Sequence, residues 1–213
     1  MAADTRTDVV LVDAGGSNLG SVRYALQRLG VEADVSADAA RIRAASHVIL
    51  PGVGAAGPGM ARLRASGLDR VIPTLTQPVL GVCLGMQLLF EASEEGDTAC
   101  LGVIPARVRR FAAGLLRVPQ IGWNRLRAER DDPLLEELPQ PAYAYFVHSY
   151  AAPVGPWTLA SADYGGAFSA IVRVRNFVGM QFHPERSAAL GARLLRAFLR
   201  QATARLPLAE AHA

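Results

Sequence analysis

Short apolar runs alternate with amphipathic segments along the first half of the chain. Residues 8–13 (DVVLVD) predict a buried strand, and residues 19–29 carry apolar side chains at helical spacing before Gly30, which favours a helix end. The other elements that these patterns predict are strands at 32–36, 47–50 and 79–82 and helices near 61–65, 68–75 and 84–90. Strands that alternate with helices in this way form a parallel sheet with helices on both faces.

The second half of the chain has a different pattern. Residues 106–164 are richer in proline, aromatic and β-branched residues, which predicts hairpins or antiparallel strands. Residues 170–175 and 177–181 predict two paired strands with a turn at Asn176. Residues 187–204 predict a terminal helix with one apolar stripe and one arginine-rich face.

These elements predict one α/β domain over residues 1–213: an open, mostly parallel sheet flanked by helices, with additional antiparallel strands. We expect its core to extend from about residue 9 to residue 200, between short flexible termini. With 51% hydrophobic and 19% charged residues, the chain can bury a sizeable core and is too apolar for a disordered protein. No apolar run approaches the roughly 20 residues of a membrane span, and the start, MAADTRTDVV, lacks a secretory signal.

Cysteine and arginine usage narrows the class of protein. Cys83 and Cys100 are too few for the disulfide framework of a secreted protein, so we expect a cytoplasmic protein in which Cys100 is a small buried thiol. All 22 basic residues are arginine, which excludes a lysine Schiff base and a phosphate-loop lysine. A net charge of +3 over 213 residues produces only a weak electrostatic attraction for anionic partners, and the arginines do not cluster with aromatic residues. We therefore expect neither nucleic acid nor a membrane as a partner.

Cys83 lies in the segment Gly81-Val82-Cys83-Leu84-Gly85, where a strand pattern meets a helix pattern. A nucleophile on such a sharp turn adopts strained backbone angles. Side chains two residues before and two residues after it would then collide, so these positions, here Gly81 and Gly85, must be small. The helix start favours a thiolate, and the backbone N–H of Leu84 points to where an oxyanion would form. The alternative is a buried structural cysteine in a glycine-containing turn.

A partner for this thiol is predicted in Gln181-Phe182-His183-Pro184-Glu185. Pro184 favours an extended backbone at His183, and in an extended segment His183 and Glu185 would project to the same side. Glu185 would then hold the second ring nitrogen of a His183 base. The alternative is a hydrogen-bonded loop histidine.

The segment Pro51-Gly52-Val53-Gly54 follows the predicted strand 47–50 and ends at the same edge of the sheet. Two glycines around Val53 leave the backbone free to present an N–H to a nearby carbonyl, which would supply a second oxyanion donor. Gly-Pro clusters are more often ordinary turns.

Taken together, GVCLGMQLLF, PGVG, VHSY and QFHPE resemble the class I, triad-type glutamine amidotransferases, and Cys83 and His183 are 100 residues apart, as in that family. Within it, DAGGSNLGSV, PGVGAAGPGM, PQIGWN and YFVHSY are most similar to the glutaminase subunits of imidazole glycerol phosphate synthases of histidine biosynthesis. The resemblance covers nearly the whole chain, from about residue 9 to residue 199. It implies a flavodoxin-like core.

The resemblance also implies a role for each matching residue. Cys83 would attack the side-chain carboxamide of glutamine, and His183, oriented by Glu185, would protonate the departing ammonia. The backbone N–H groups of Val53 and Leu84 would hold the oxyanion. The residues implied in glutamine binding are Gly52, Gly54, Gln87, His148, Ser149 and Tyr150. For Gln87 the alternative is a glutamine on a helix surface.

The partner that the resemblance implies is a (β/α)8-barrel cyclase subunit in a heterodimer. Ammonia would pass through its interior to a bound ribonucleotide, giving imidazole glycerol phosphate and an aminoimidazole carboxamide ribonucleotide, and the chain itself would need no cofactor and no metal. The candidate interface residues are Asn18, Trp123, Asn124, Tyr145 and Arg186. Buried packing of Trp123 is the alternative.

Two further functions stay open on the sequence. One is the glutaminase of another ammonia-channelling synthase, such as pyridoxal phosphate synthase, or a γ-glutamyl hydrolase. The other is a non-catalytic α/β binding module in which Cys83 and His183 are structural. The chain departs from the family pattern at Ala14 and Ser17 and at Arg186, where the family usually has lysine.

Overall fold

The computed structural model describes residues 7–14, 18–112, 114 and 116–201. Within these ranges the chain forms two sheets and six helices. The strands are β1 (Val9–Val12), β2 (Ala33–Ser36), β3 (His47–Gly52), β4 (Val79–Cys83), β5 (Phe90–Ser93), β6 (Thr98–Ala99), β7 (Ile104–Arg110), β8 (Gln120–Ala128), β9 (Ala142–His148), β10 (Tyr150–Ala151), β11 (Thr158–Asp163), β12 (Ala167–Val174) and β13 (Phe177–Met180). The helices are α1 (Leu19–Gln27), α2 (Ala39–Ala44), α3 (Ala56–Ala65), α4 (Leu68–Val71), α5 (Leu84–Leu88) and α6 (Ala188–Leu199).

The main sheet has nine strands in the order β2-β1-β3-β4-β13-β12-β11-β8-β9. The first five are parallel, and from β13 onwards each pair is antiparallel. A second sheet has the order β10-β7-β5-β6. The predicted α/β fold is therefore confirmed: helices flank a parallel sheet, and antiparallel strands extend it.

Side chains along β1 show why helices cover both faces of the sheet. Val9 and Leu11 pack in one apolar layer with α1 and α6, whereas Val10 and Val12 pack in the other with α3 and α5. Because successive side chains of a strand point to opposite faces, the unbroken apolar run gives a strand that is buried on both sides. None of the helices in the part of the chain that the structure describes is long and apolar enough to span a membrane.

Several element boundaries differ from those the sequence predicts. The helix predicted at 84–90 ends at Leu88, and Phe90 begins β5. A run that is apolar on all sides does not distinguish a buried helix from a buried strand by its periodicity. The helix predicted at 61–65 begins earlier, at Ala56. The Gly-Pro-Gly after Ala56 is typical of a turn in the sequence, but here it lies in the first turn of the helix, where proline is tolerated.

Helix α2 is absent from the sequence prediction. It begins after Asp38, whose side chain accepts a hydrogen bond from the backbone N–H of Ala40 at 2.8 Å, and only Ile42 of the helix is fully buried. So short a helix with so little apolar surface leaves a weak periodic signal. The turn predicted at 14–18 and the last residues of the helix predicted at 187–204 lie largely outside the described residues.

Three parallel strands end side by side and position the candidate site. In the register of the sheet, Gly52 at the end of β3 lies beside Cys83 at the end of β4, and Met180 of β13 lies beside Val82. The carboxyl ends of parallel strands are the edge at which ligands bind in open α/β sheets. The segments around Cys83, Val53 and His183 therefore meet there, as predicted.

Candidate active site

Cys83 occupies a sharp strand-to-helix turn. It ends β4, precedes the first residue of α5 and has φ 53° and ψ −111°, in the region that side chains rarely adopt. A Cβ atom at Gly85 would lie 1.8 Å from the carbonyl oxygen of Leu50, and one at Gly81 would lie 2.7 Å from the carbonyl oxygen of Gly85. The prediction that the positions flanking Cys83 must be small is thus confirmed by the packing.

His183 and Glu185 lie together, but not in the predicted extended conformation. The backbone at His183 is extended, whereas Pro184–Arg186 form a 3-10 turn. The turn still brings Glu185 Oε1 to 2.8 Å from His183 Nδ1. The assumption of an extended segment was wrong, because Pro184 restricts only the residue before it and itself fits the first turn of a helix.

Buried contacts around Ser187 hold this turn in place. Ser187 Oγ donates to the carbonyl oxygen of His183 at 2.7 Å and accepts from the backbone N–H of Tyr145 at 3.0 Å. A Cβ at Gly191 of α6 would lie 1.8 Å from the carbonyl oxygen of Pro184, so the helix can approach the turn only with glycine there. The position of the imidazole is therefore fixed by packing.

Asn18 contacts the dyad from the other end of the chain. Its side-chain Nδ2 donates to Glu185 Oε1 at 2.8 Å. Glu185 thus accepts from both Asn18 and His183, and its side chain is 1% exposed. Asn18 was predicted at a partner interface, and the structure places its amide on the carboxylate.

The charges of the dyad follow from these contacts. Burial lowers the pKa of His183, but hydrogen bonds and charge interactions with Cys83 and Glu185 outweigh this effect and raise it to about 10. Burial raises the pKa of Glu185, but its contacts with His183 and Asn18 outweigh that effect and keep it below the ordinary value. At neutral pH the imidazole is therefore protonated between the sulfur and the carboxylate.

A cavity of about 300 Å³ opens onto Cys83 and His183. Its walls contain most of the residues predicted to bind substrate or oxyanion: Val53, Gly54, Leu84, Gln87, His148, Ser149 and Tyr150. Gly52 is not among the lining residues; a Cβ there would lie 2.6 Å from the backbone nitrogen of Gly85, so it packs against the Cys83 turn instead. The cavity is large enough for an amino acid side chain and backbone.

Gln87 is buried in the wall of this cavity, which rules out a helix-surface glutamine. Its Nε2 donates to the carbonyl oxygen of Tyr150 at 2.8 Å and to Oε1 of Gln181 at 3.0 Å. The same carbonyl oxygen of Tyr150 lies 2.8 Å from Nδ1 of His148. Because a carbonyl only accepts, this nitrogen carries the proton, and burial lowers the pKa of His148 to about 4 and keeps the ring neutral.

Glu95 also lines the cavity and was not singled out in the sequence. Its Oε2 accepts from the backbone N–H of Ala56 at 2.8 Å, which anchors the carboxylate beside the first turn of α3. Glu95 is one of several acidic residues in EASEEGD, a segment that resembles a solvated loop. No local signal distinguished it; only the packing of the 3-10 turn Glu95–Asp97 against α3 brings it to the site.

The predicted interface residues lie mainly on the hairpin of β8 and β9. Trp123 is 55% exposed, which excludes buried packing, and its ring meets that of Tyr145 edge to face at 5.9 Å. Asn124 donates to the carbonyl oxygen of Asp163, and Arg186 is exposed. Ile121 and Val147 pair across the strands and are also exposed, so the outer face of this hairpin is an apolar patch.

A larger cavity of about 460 Å³ lies between β7, β10 and the turn after β11. Phe111 lines this larger cavity and packs against His148 of the smaller one, with 5.1 Å between the ring centres. The two cavities are therefore neighbours. None of the described residues that line the larger cavity is a cysteine, a histidine or a carboxylate, so the smaller cavity is the one with the groups for acyl transfer. Among the described residues, no cluster of three or more His, Cys, Asp or Glu side chains could hold a metal ion.

Cys100, predicted as a small buried thiol, is only partly buried. Its Sγ lies 3.6 Å from the carbonyl oxygen of Thr98, and burial raises the pKa of this thiol to about 11. It lies outside the cavity, so Cys83 is the thiol of the site.

Comparison with known proteins agrees with this geometry. The family model for "Glutamine amidotransferase class-I" matches residues 10–202. The chain is 59% identical over 194 residues to the imidazole glycerol phosphate synthase subunit HisH of Xanthomonas campestris pv. campestris, covering 91% of this chain and 97% of that protein. It is 58% identical to the HisH of Xylella fastidiosa, with the same coverage.

Solved structures agree at the level of the fold. A crystal structure described as a glutamine amidotransferase superposes with a TM-score of 0.70 at 24% identity, covering 89% of this chain and 96% of that one. A glutamine amidotransferase from Thermotoga maritima superposes with a TM-score of 0.63 at 20% identity, covering 91% of this chain and 82% of that one. The chain belongs to the class-I glutamine amidotransferase family and, within it, to the group that contains these HisH proteins.

Proposed function

We propose that this chain is the glutaminase subunit of an imidazole glycerol phosphate synthase and hydrolyses L-glutamine to glutamate and ammonia. The observation that carries the proposal is the placement of the His183 ring between the Cys83 sulfur and the Glu185 carboxylate, beside a cavity of suitable size. A nucleophile, a base and a group that orients the base are the parts that acyl transfer requires.

In the proposed reaction, the Cys83 sulfur attacks the carboxamide carbon of glutamine and forms a tetrahedral oxyanion. The backbone N–H groups of Val53 and Leu84, which both border the cavity, stabilise the oxyanion. His183 then transfers a proton to the leaving nitrogen, the C–N bond breaks, and ammonia and a glutamyl thioester result. Neutral His183 next takes a proton from water, which attacks the thioester and releases glutamate and the thiolate.

The polar residues of the cavity suit the α-amino acid end of glutamine. Glu95 offers an anchored carboxylate for the α-ammonium group, and the backbone of Ser149 and Tyr150, which also line the cavity, offers hydrogen-bonding groups. Gln87 contributes its side-chain oxygen, since its Nε2 already bonds Tyr150 and Gln181. No cofactor is needed, because each step uses only the side chains and backbone of the site.

The β8–β9 patch supports a partner subunit next to the site. The carbonyl oxygen of Tyr145 in β9 accepts from the backbone N–H of His183 at 3.0 Å, so the strand that carries the patch is bonded directly to the segment that carries the base. A partner bound to Trp123, Tyr145 and Arg186 would cover the site and receive ammonia before bulk water protonates it. We propose a barrel-shaped cyclase subunit in a heterodimer, which uses the ammonia to make imidazole glycerol phosphate in histidine biosynthesis.

We also propose a cytoplasmic location, because the reaction depends on a free Cys83 thiol, which a reducing compartment maintains. The test of the function is glutamine hydrolysis by the wild type and Cys83→Ala, each with and without the cyclase partner and its ribonucleotide. We expect the partner and ribonucleotide to raise hydrolysis by the wild type only. Equal hydrolysis by Cys83→Ala would reject Cys83 as the nucleophile, and indifference to the cyclase would reject this partner.

A further inference from the structure

Gln181 lies beside Cys83 on the neighbouring strand. Because Met180 of β13 pairs with Val82 of β4 in parallel register, Gln181 follows beside Cys83. Its Nε2 lies 3.9 Å from the Cys83 sulfur, within reach of an N–H···S hydrogen bond. Gln181 is fully buried and does not line the substrate cavity, so this donor approaches the sulfur from the protein interior.

Two neighbouring groups fix the direction of the Gln181 amide. The carbonyl oxygen of Tyr150 can only accept, so the group that Gln87 turns towards it must be its NH2. The second proton of that NH2 points to Gln181, which must present its oxygen, at 3.0 Å. The NH2 of Gln181 is therefore left to face the sulfur, and the amide cannot be flipped without losing the contact with Gln87.

We propose that Gln181 donates a side-chain N–H to the Cys83 sulfur, and that it thereby stabilises the thiolate at rest and the sulfur leaving group when the thioester breaks. Gln87 acts through Gln181 as a positioning residue. The proposal rests on the proposed function only in taking Cys83 as the nucleophile. When water attacks the thioester, the C–S bond breaks and its electron pair goes to sulfur, where an N–H donor lowers the cost of the negative charge. Gln181 itself exchanges no proton.

Other charged and titratable groups around the sulfur come from several elements. His183, held by Glu185, supplies a positive charge from the turn after β13, and Glu95 faces the cavity from the turn before β6. His148 and Tyr150 border the cavity from β9 and β10, and His148 is neutral above about pH 4. None of these groups is changed when Gln181 is replaced, so a shift in thiol reactivity can be assigned to its N–H.

The test is the rate of alkylation of Cys83 by iodoacetamide between pH 5 and pH 10, in a Cys100→Ala background that removes the second thiol. Gln181→Met keeps the side-chain length and removes the donor. We expect the pH at which alkylation reaches half of its limiting rate to rise by about one unit, because a hydrogen bond to a charged group is worth about a factor of ten. The limiting rate at high pH should be no lower than in the wild type, since a less stabilised thiolate is at least as nucleophilic. With glutamine, we expect kcat to fall about tenfold with little change in KM.

The matched control is Gln77→Met, which removes another buried amide, one that donates only to the backbone oxygens of Ile42 and Arg43. We expect its alkylation profile and kcat to match the wild type. If Gln181→Met does not fold, Gln181→Glu keeps the shape of the side chain. A carboxylate beside the sulfur should shift the alkylation profile to higher pH by at least as much. An alkylation profile that neither variant moves would overturn the proposal.

The same series separates the two proposals. Hydrolysis that persists in Cys83→Ala would reject the proposed function, while the alkylation profile would still decide whether Gln181 donates to the sulfur. Loss of hydrolysis in Cys83→Ala together with an unshifted profile in both Gln181 variants would reject the role of Gln181 alone.

Discussion

His183 Nδ1 and Glu185 Oε1 are 2.8 Å apart, and a 3-10 turn rather than an extended strand brings them together. The contact fixes which ring nitrogen faces the carboxylate and leaves the other for Cys83. Although burial disfavours its charge, the carboxylate stays ionised because it accepts hydrogen bonds from the imidazolium and from Asn18. The geometry of the base is thus built from residues 18, 183 and 185, which lie at opposite ends of the chain.

Replacing the carboxylate by an amide tests this arrangement. Glu185→Gln keeps the shape but can turn an NH2 towards His183, which favours the wrong tautomer of the ring. We expect kcat for glutamine to fall roughly 10²–10⁴-fold, as for comparable changes in other triads, with a smaller change in KM. Steady-state kinetics in the presence of the cyclase partner provide the measurement.

A matched control for this variant is Glu137→Gln, which removes a carboxylate from an exposed ion pair with Arg200. It should retain wild-type kcat, because the pair lies on the surface and neither residue lines the cavity. Equal rates for Glu185→Gln and the wild type would show that the carboxylate does not orient the base.

The buried ring of His148 makes stability depend on pH. Its pKa is about 4 in the folded protein, against an ordinary value of 6.5. Between these values the unfolded chain binds a proton that the folded chain does not, so its contribution is complete above pH 6.5 and is lost as the pH falls towards 4. His148 alone accounts for a loss of about 3 kcal/mol, and His47, whose pKa is also lowered by burial, acts in the same direction.

Urea unfolding of the wild type and His148→Asn at pH 7 and pH 4 checks this expectation. Asparagine can keep a donor to the carbonyl oxygen of Tyr150 but does not titrate. We expect the variant to lose less of its free energy of unfolding than the wild type when the pH is lowered. An identical loss in both proteins would mean that His148 takes no part in acid destabilisation.

Glycine at position 85 is required by the close packing of the Cys83 turn. A Cβ there would lie 1.8 Å from the carbonyl oxygen of Leu50 and overlap it. Because the Cβ is attached to one backbone and the oxygen belongs to another, no side-chain rotation can relieve the overlap. We expect Gly85→Ala to lower the free energy of unfolding by at least about 3 kcal/mol, or to prevent folding. Chemical denaturation or the soluble yield measures the effect.

Gly20→Ala is the comparison for the loss of glycine as such. Gly20 lies in α1, has no atom within 4 Å of an added Cβ, and should gain roughly 0.5–1 kcal/mol from the higher helix propensity of alanine. Equal stability of Gly85→Ala and Gly20→Ala would contradict the prediction, because it would mean that the Cys83 turn has room for a Cβ atom at position 85.

Trp123 tests the proposed docking face. We expect Trp123→Ala to weaken binding to the cyclase subunit by about 2 kcal/mol or more, because large exposed aromatic residues dominate interface energies. Tyr24→Ala, which removes an aromatic residue that is 65% exposed on α1, should leave the affinity unchanged. Titration calorimetry distinguishes the two, and equal affinities would place the interface elsewhere.

Local patterns were enough to predict the turn at Cys83 and the pairing of His183 with Glu185. The glycines at 81 and 85 and the change from strand to helix all lie within five residues. The dyad is equally local, because Glu185 is only two positions after His183. The parallel strands were also predictable, because runs such as VVLV are apolar on both faces.

Other parts of the site depend on contacts between distant segments. Glu95 reaches the cavity because its carboxylate bonds Ala56, and Gln181 meets the sulfur only because β13 lies beside β4. Asn18 bonds Glu185 across 167 positions of sequence. No periodicity encodes such contacts, since they follow from the order of strands in the sheet.

The most direct test of the central claim is to trap the glutamyl thioester. Wild-type protein with its cyclase partner is mixed with radiolabelled glutamine, quenched in acid within one turnover, and digested to locate the label. The account predicts label on the peptide that contains Cys83, and none in Cys83→Ala, whose glutamine hydrolysis should also be abolished. Undiminished hydrolysis by Cys83→Ala, or label on a different residue, would contradict it.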